Sequence, residues 1–427
     1  MKKLFTLAIC LMFSYNLLFS EEVEIVLGAG YENDIWYSFE NGIVKTEPKD
    51  NWDMAVQTGA KDAGIRINSQ KGIQLWVVNG SDEDSWDDPI DTTGMSENWE
   101  QGHNSTETWS IGAFNLGLDG FETGGDFGWG MYNMATHSVS GSKVFVIKLA
   151  DKSIKKIMIE GLLHGTYTVK WADLDGENEQ LVEIAKGDYS EKLFAYLDLS
   201  SSEVIDREPP SDSWALLFGK YTAMIPMGPQ TVPYAVTGVR TNPHYKTAAV
   251  DDVPAEQAES PEFNEENYSY NITAIGSDWK ELDHQTFTYK IVENLSFFVS
   301  NYDFETPEPQ INKIVFKEFE GSSTGRLVFE LNGTASSVDE RLIAKFSVYP
   351  NIIEKNAIVN LSLSEFNLSG SFNIVLSDIN GNEIIRKHVL NAEENNIRMR
   401  VPNVSSGLYF LRVESGTVNF SEKLIIN

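Results

Sequence analysis

Met131, Met134 and His137 place three potential metal donors within one short stretch of the chain. Thioether sulfur suits a soft, reduced metal, whereas imidazole serves either oxidation state of iron. The three follow Gly124-Gly125-Asp126-Phe127-Gly128-Trp129-Gly130, a glycine-rich run that brings aromatic surface close to the donors. His103 is a fourth candidate further upstream. In an extended segment Met131 and His137 share one face and Met134 points to the other. The competing reading has both methionines filling gaps in a core, with His137 on a solvated loop. Further along, Met224, Met227, His244 and His284 are scattered and suggest no single site.

Other chemistries find little support in the residues. The single cysteine, Cys10, lies in an apolar run near the N-terminus, so thiol catalysis and cysteine metal sites are excluded downstream of it. The acidic clusters Asp82-Glu83-Asp84 with Asp87-Asp88, and Asp173-Leu174-Asp175-Gly176, lack the spacing of a calcium-binding EF-hand. The glycine run has no following Lys-Ser/Thr to hold a phosphate. Neither a Gly-x-Ser-x-Gly elbow nor a His-Glu-x-x-His motif occurs, and no enzyme is expected. A formal net charge of -30 argues against nucleic acid and anionic lipid as partners, since both select clustered Lys and Arg.

The elements that must position any site read as strands. Ile73–Val78, Val144–Leu149, Thr166–Trp171 and Ile311–Phe316 are short, rich in β-branched and aromatic residues, and bounded by turn formers. No apolar stripe of helical period and length stands out. The expected class is all-β, sandwich-like, with long loops. An acidic, proline-bearing loop over 248–267 is expected to be mobile.

Two long segments share an order of landmarks. Residues 37–68 and 196–242 each pass through an aromatic-led strand, a turn and a valine (Val44, Val204). Each then has Glu-Pro (Glu47-Pro48, Glu208-Pro209), a tryptophan (Trp52, Trp214) and Gly-Ile/Val-Arg-x-Asn from Gly64 or Gly238. This is read as an internal duplication, with units over 23–180 and 190–332. Both units close alike, with Lys155–Gly161 and Asn312–Gly321 leading into Gly-marked turns and final strands. Trp52 and Trp214 are expected to be core anchors. Arg66 and Arg240 are expected to be structural, each pairing with a buried carboxylate such as Asp53, although Ala215 replaces that aspartate in the second copy. Residues 1–20 carry Lys2, Lys3 and an apolar run, the pattern of a cleaved export signal, and no later stretch is long and apolar enough to span a bilayer.

A polar linker over 333–342 precedes a last segment, 343–427. It holds Tyr349-Pro350-Asn351, an Asp378-Ile379-Asn380-Gly381 turn, Gly407-Leu408-Tyr409-Phe410 and a final strand with Lys423. In that order these residues resemble the type A sorting domain of the type IX secretion system of Bacteroidota. The resemblance implies a small Ig-like sandwich, handling by that secretion machinery and its sortase, and residence on the cell surface or outside the cell. The duplicated units resemble the HmuY family of exported haem-binding proteins. Trp52-Asp53, Arg66-Ile67-Asn68 and the strand pair Val144–Leu149 and Lys156–Ile159 carry that likeness. It implies haem as cofactor, held by axial side chains, and an outer-membrane haem receptor as partner; no ligand assignment carries over from the family, and the candidates read from donor chemistry are Met131, Met134, His137 and His103. The alternative is a surface protein using the same fold for a glycan or protein ligand, favoured by the uneven donor sets of the two units and by Trp86, Trp99, Trp109 and Trp129.

Overall fold

In a computed structural model the chain is described over residues 20–116, 125–228, 230–283, 285–307, 309–334, 345–349, 352–364, 372–378, 382–389, 396–415 and 418–427. The expected export signal apart from Ser20, nearly all of the linker and His284 lie outside the described residues. The fold is all-β, antiparallel and sandwich-like as expected, and it divides into two compact units, 1–334 and 335–427.

The duplication is visible as four hairpins. Copy one supplies a leading hairpin, Asn33–Ser38 with Gly42–Pro48, and a trailing one, Met54–Gln57 with Ile65–Ile67. Copy two supplies Phe194–Asp198 with Glu203–Ile205, then Leu216–Met227 with Gln230–Thr241. The copies exchange partners. The leading hairpin of copy two joins the trailing hairpin of copy one through Tyr196 opposite Ala55, and Trp36 of copy one faces Leu217 of copy two. Two four-stranded sheets result, each half from one copy and half from the other.

Each mixed sheet packs one face on a larger sheet. Met54, Val56, Ile65, Ile67, Ala195 and Leu197 close on the eight-stranded sheet formed by residues 74–185. Ile35, Tyr37, Leu216, Phe218 and Val239 close on a five-stranded sheet. That sheet includes the N-terminal strand Ser20–Val26 paired with Arg326–Thr334. Side chains alternate across a strand, so the intervening residues of all four hairpins point to a third place. Trp36, Ala55, Phe194, Tyr196 and Leu217 meet there, joined by Trp109 and Trp214. These strands are buried on both faces, which explains why they read as nearly continuous apolar runs.

A boundary between 180 and 190 therefore does not separate two self-contained sheet systems. One core is built from residues 54–204 and the other from 23–39 with 215–331. The expected mobility of 248–267 also needs correction. Ala258 is buried and Phe263 packs beside Tyr268 and Phe304, so this loop covers a small core of its own.

The second unit has a three-stranded sheet and a five-stranded sheet around a core that includes Val359, Leu361, Ile374 and Leu411. The Asp378 carboxylate accepts the backbone and side-chain N–H of Asn382 at 2.9 Å each, while residues 379–381 of the Asp-x-Asn-Gly motif lie outside the described residues. One pair in this unit, Ile352–Ile353 with the chain end, is parallel.

The exchange predicts how fragments behave. Residues 23–180 lack the partner of Met54–Gln57 and leave the leading hairpin without its sheet, so this fragment should not unfold cooperatively. Residues 50–212 contain the whole first core and should give a single sharp thermal transition by circular dichroism. The opposite ranking would refute the exchanged pairing.

Candidate functional site

The donors that stood out in the sequence lie on a hairpin, Gly130–Asn133 with Ser138–Gly141. Met134 is 81% exposed at its turn and Met131 is 45% exposed on its strand. His137 adopts a left-handed backbone at φ 53° and closes the turn by donating its N–H to Asn133 O at 2.9 Å. Its ring Nδ1 lies 2.8 Å from the Tyr132 hydroxyl. The segment is thus not one extended strand, and its polar partners are its own neighbours. His103 is half-buried, which lowers its pKa. It follows the strand Gln101–Gly102 on Gln74–Val77, whereas the hairpin attaches to Ile154–Leu163. Strand pairing does not bring His103 to the other three.

This hairpin is itself duplicated. Asn133 Oδ1 accepts the N–H groups of Ala135 and Thr136, and Asp283 Oδ1 accepts those of Gln285 and Thr286. Thr136 and Ser138 hydroxyls meet at 2.7 Å, as do those of Thr286 and Thr288. Phe287, at φ 55°, stands where His137 does. The turn is a scaffold in both copies, while the donor side chains differ. Met224 and Met227 lie on the distal part of the long trailing hairpin of copy two, both exposed.

The polar middle layer between the mixed sheets is a stronger candidate. A cavity of about 60 Å³ opens there, lined by residues of both copies. Its walls include Trp52, Trp109, Phe194, Tyr196 and Tyr221, with Ser69, Asn104, Thr106, Thr222 and Thr273 among its polar groups. Five lining residues are cationic (Lys49, Arg66, Arg207, Lys220, Arg240) and one, Asp34, is anionic. In a chain of net charge -30 this is a local inversion of sign.

The repeat explains the arginines. Ile65 and Ile67 face the first core, so Arg66 between them faces the middle layer, and Arg240 follows Val239 in the same way. Both guanidiniums lie 5.2 Å from the Trp109 ring. Arg66 donates to the carbonyls of Thr108, Trp109 and Ile111 at 3.0–3.2 Å and to Ser105 at 2.8 Å. It thereby holds the loop that roofs the cavity. Trp109 Nε1–H donates to Thr241 O at 2.8 Å, and Thr273 Oγ1 to Thr106 O at 2.7 Å, fixing that roof to copy two. Glycines permit the approach: a Cβ at Gly64 would sit 2.4 Å from Ser110 O, and at Gly238 2.3 Å from Gly276 O.

The expected pairing of Arg66 with Asp53 is not found. Asp53 instead takes Lys71 at 2.8 Å and the Leu199 N–H at 2.8 Å. The buried ion pair is Arg207 with Asp34, at 2.6 Å, and Arg207 also donates to Asn51 Oδ1 and Pro48 O. Arg240 is different. Its Nε is buried without an acceptor, and among the described residues no carboxylate lies within ion-pair distance of it, although Asp34, bound by Arg207, acts on its charge from further away. Burial lowers the pKa of both Arg66 and Arg240, yet an arginine stays charged at neutral pH. The Trp52 indole N–H and Asp34 Oδ1 are likewise buried without partners.

Behind the cavity Glu208 accepts the N–H groups of Leu193 and Phe194 and the Tyr196 hydroxyl, the last at 2.8 Å. Burial raises its carboxyl to about 7 against the opposing pull of these donors and Arg207. The Glu-Pro landmark in the repeat marked this residue, but not its burial.

Residues 347–427 match the family described as secretion system C-terminal sorting domain. This stretch is the type IX sorting domain, and the protein is one that this system exports to the cell surface or the extracellular space. Its machinery is therefore a partner, and no helix among the described residues is long and apolar enough to cross a membrane. No curated protein matches the chain. The haem-binding resemblance of residues 23–332 gains no support from these comparisons.

Two outcomes test this geometry. Asp34→Asn leaves the buried Arg207 uncompensated and should cost about 3–5 kcal/mol in urea denaturation. The folded state also holds a proton on Glu208 that the unfolded chain releases above about 4.5. Its contribution to stability is complete below that value and is lost as pH rises through about 7. Wild type should therefore lose urea stability across this window relative to Glu208→Gln, and parallel pH profiles would contradict the assignment.

Proposed function

We propose that this exported protein is a non-enzymatic binding protein whose ligand enters the cavity between the two mixed sheets. The observation that carries the reading is Arg240, a cation fixed against Trp109 whose buried Nε has no acceptor. A buried polar group left without a partner costs about 1–3 kcal/mol, and a ligand supplies the missing partner. Concave sites with aromatic walls and a few convergent polar groups are where small ligands bind. A glycan or peptide end outside the cell suits such walls.

The haem reading takes second place. It rests on the family resemblance and on Met131, Met134 and His137, which present soft donors on an exposed hairpin. The cavity itself has neither methionine nor histidine in its lining, and its volume is far below that of a macrocycle. An outer-membrane haem receptor as partner stands or falls with this second reading.

Thr222 lies at the cavity, where its hydroxyl accepts from Gln70 Nε2 at 2.9 Å and meets the Ser69 hydroxyl at 2.8 Å. Thr222→Trp should fill the opening. With the full chain on arrays of glycans and peptides, binding by wild type that this substitution abolishes, at unchanged circular dichroism, is the expected result. Retained binding in Thr222→Trp would remove the cavity from consideration. A Soret shift with oxidised or reduced haem, lost on changing Met131 or His137, would instead establish the haem reading.

A further inference from the structure

Resting on that reading, we propose that the cavity is selective for an anionic group on its ligand, a carboxylate, sulfate or phosphate, held against the guanidinium of Arg240. Five cationic residues and one carboxylate line the cavity, and that carboxylate is already engaged by Arg207. The other two guanidiniums are also committed. Arg66 spends its N–H groups on four carbonyls of the roof loop, and Arg207 on Asp34, Asn51 and Pro48. Both are anchored by these bonds, although the Arg66 Nε–H and the Arg207 Nη1 group remain outside them. Arg240 makes no hydrogen bond among the described residues and is the least committed of the three.

Trp52 Nε1–H and Arg240 Nε–H are both buried donors without acceptors on the wall of one cavity, against one orphaned acceptor there, Asp34 Oδ1, so the surplus of donors favours an acceptor on the ligand. A planar guanidinium matches the two oxygens of an oxyanion, and such charge-assisted bonds are among the strongest that proteins make. A cavity of about 60 Å³ has room for one such group and not for a large ligand entire. The remainder of a larger molecule would meet the hydroxyl and amide side chains of Ser69, Asn104, Thr106 and Thr273. Lys220, half-buried at the same cavity, adds charge near the opening. The chain as a whole is acidic, with a net charge of -30, and the interaction should weaken as salt screens it.

The test is calorimetric titration of the full chain at low salt with sodium sulfate, sodium phosphate, sodium acetate, glucuronate and, as the uncharged control, glucose. At least one anion should bind, glucose should not, and affinity should fall with added sodium chloride. Arg240→Gln should weaken binding about tenfold or more, the worth of a charge-assisted bond. Arg240→Lys should recover part of it. Lys220→Gln, at a position only half-buried, should weaken it about two- to fivefold while leaving the melting curve in place. Equal affinity for inorganic sulfate and glucuronate identifies a free oxyanion as sufficient, and preference for glucuronate over acetate identifies an acidic substituent on a sugar. No binding of any anion by wild type, or undiminished binding in both Arg240→Gln and Lys220→Gln, overturns the proposal. If Thr222→Trp blocks a neutral ligand while no anion binds, only the anionic selectivity fails and the cavity remains the site.

Discussion

The structure of the first unit depends on one constraint: each of four hairpins has an inner stretch buried on both faces. A hairpin needs a sheet, and here neither copy of the duplication supplies a whole sheet to itself. Exchange of the leading hairpins solves this and forces two sheets back to back. Each side chain at alternate positions then belongs either to an apolar core or to the shared middle. The apolar cores take mostly Ile, Val, Phe and Leu; the shared middle receives Trp36, Trp52, Trp109 and Trp214 together with Arg66, Arg207 and Arg240. Charges cannot be tolerated there singly. That is why Arg66 is wrapped by carbonyls and Arg207 by Asp34, and why the remaining freedom of Arg240 stands out against them.

Much of this was legible from residue order. Strand alternation, the repeat and the closing strand pairs at 145–163 and 296–319 all appear where the patterns place them. The exchange was not legible, because both copies have the same hairpins and sequence order cannot say which hairpin a strand edge meets. Apolar pattern alone is satisfied by either pairing. The arginines were visible in Gly-Ile-Arg-Ile-Asn and Gly-Val-Arg-Thr-Asn. An arginine alternating with β-branched residues signals a second buried face, a signal that the expected pairing with Asp53 did not use.

The methionine and histidine cluster attracted notice for its chemistry, yet it occupies the same turn as Asp283–Thr288 of the other copy. An Asx-type turn with a left-handed fifth residue explains the recurrence of Asn133/Asp283 and Thr136/Thr286 without invoking a ligand. What the turn does not constrain is the side chain at Met134 or at the left-handed position, where His137 and Phe287 differ. The residues most suggestive by type are therefore those least fixed by structure, and the conserved backbone of the turn carries no information about binding.

The pairing of Ser20–Val26 with Arg326–Thr334 has a consequence in time. The first strand of the unit finds its partner only after some three hundred intervening residues exist, and until then its edge and the apolar side chains of Ile25 and Leu27 are uncovered. Contacts so distant in sequence form late and slowly. A chain destined for export thus stays incompletely closed for as long as its own C-terminal half is unfinished, and its acidic surface, by mutual repulsion between copies, keeps such open chains apart in the interval.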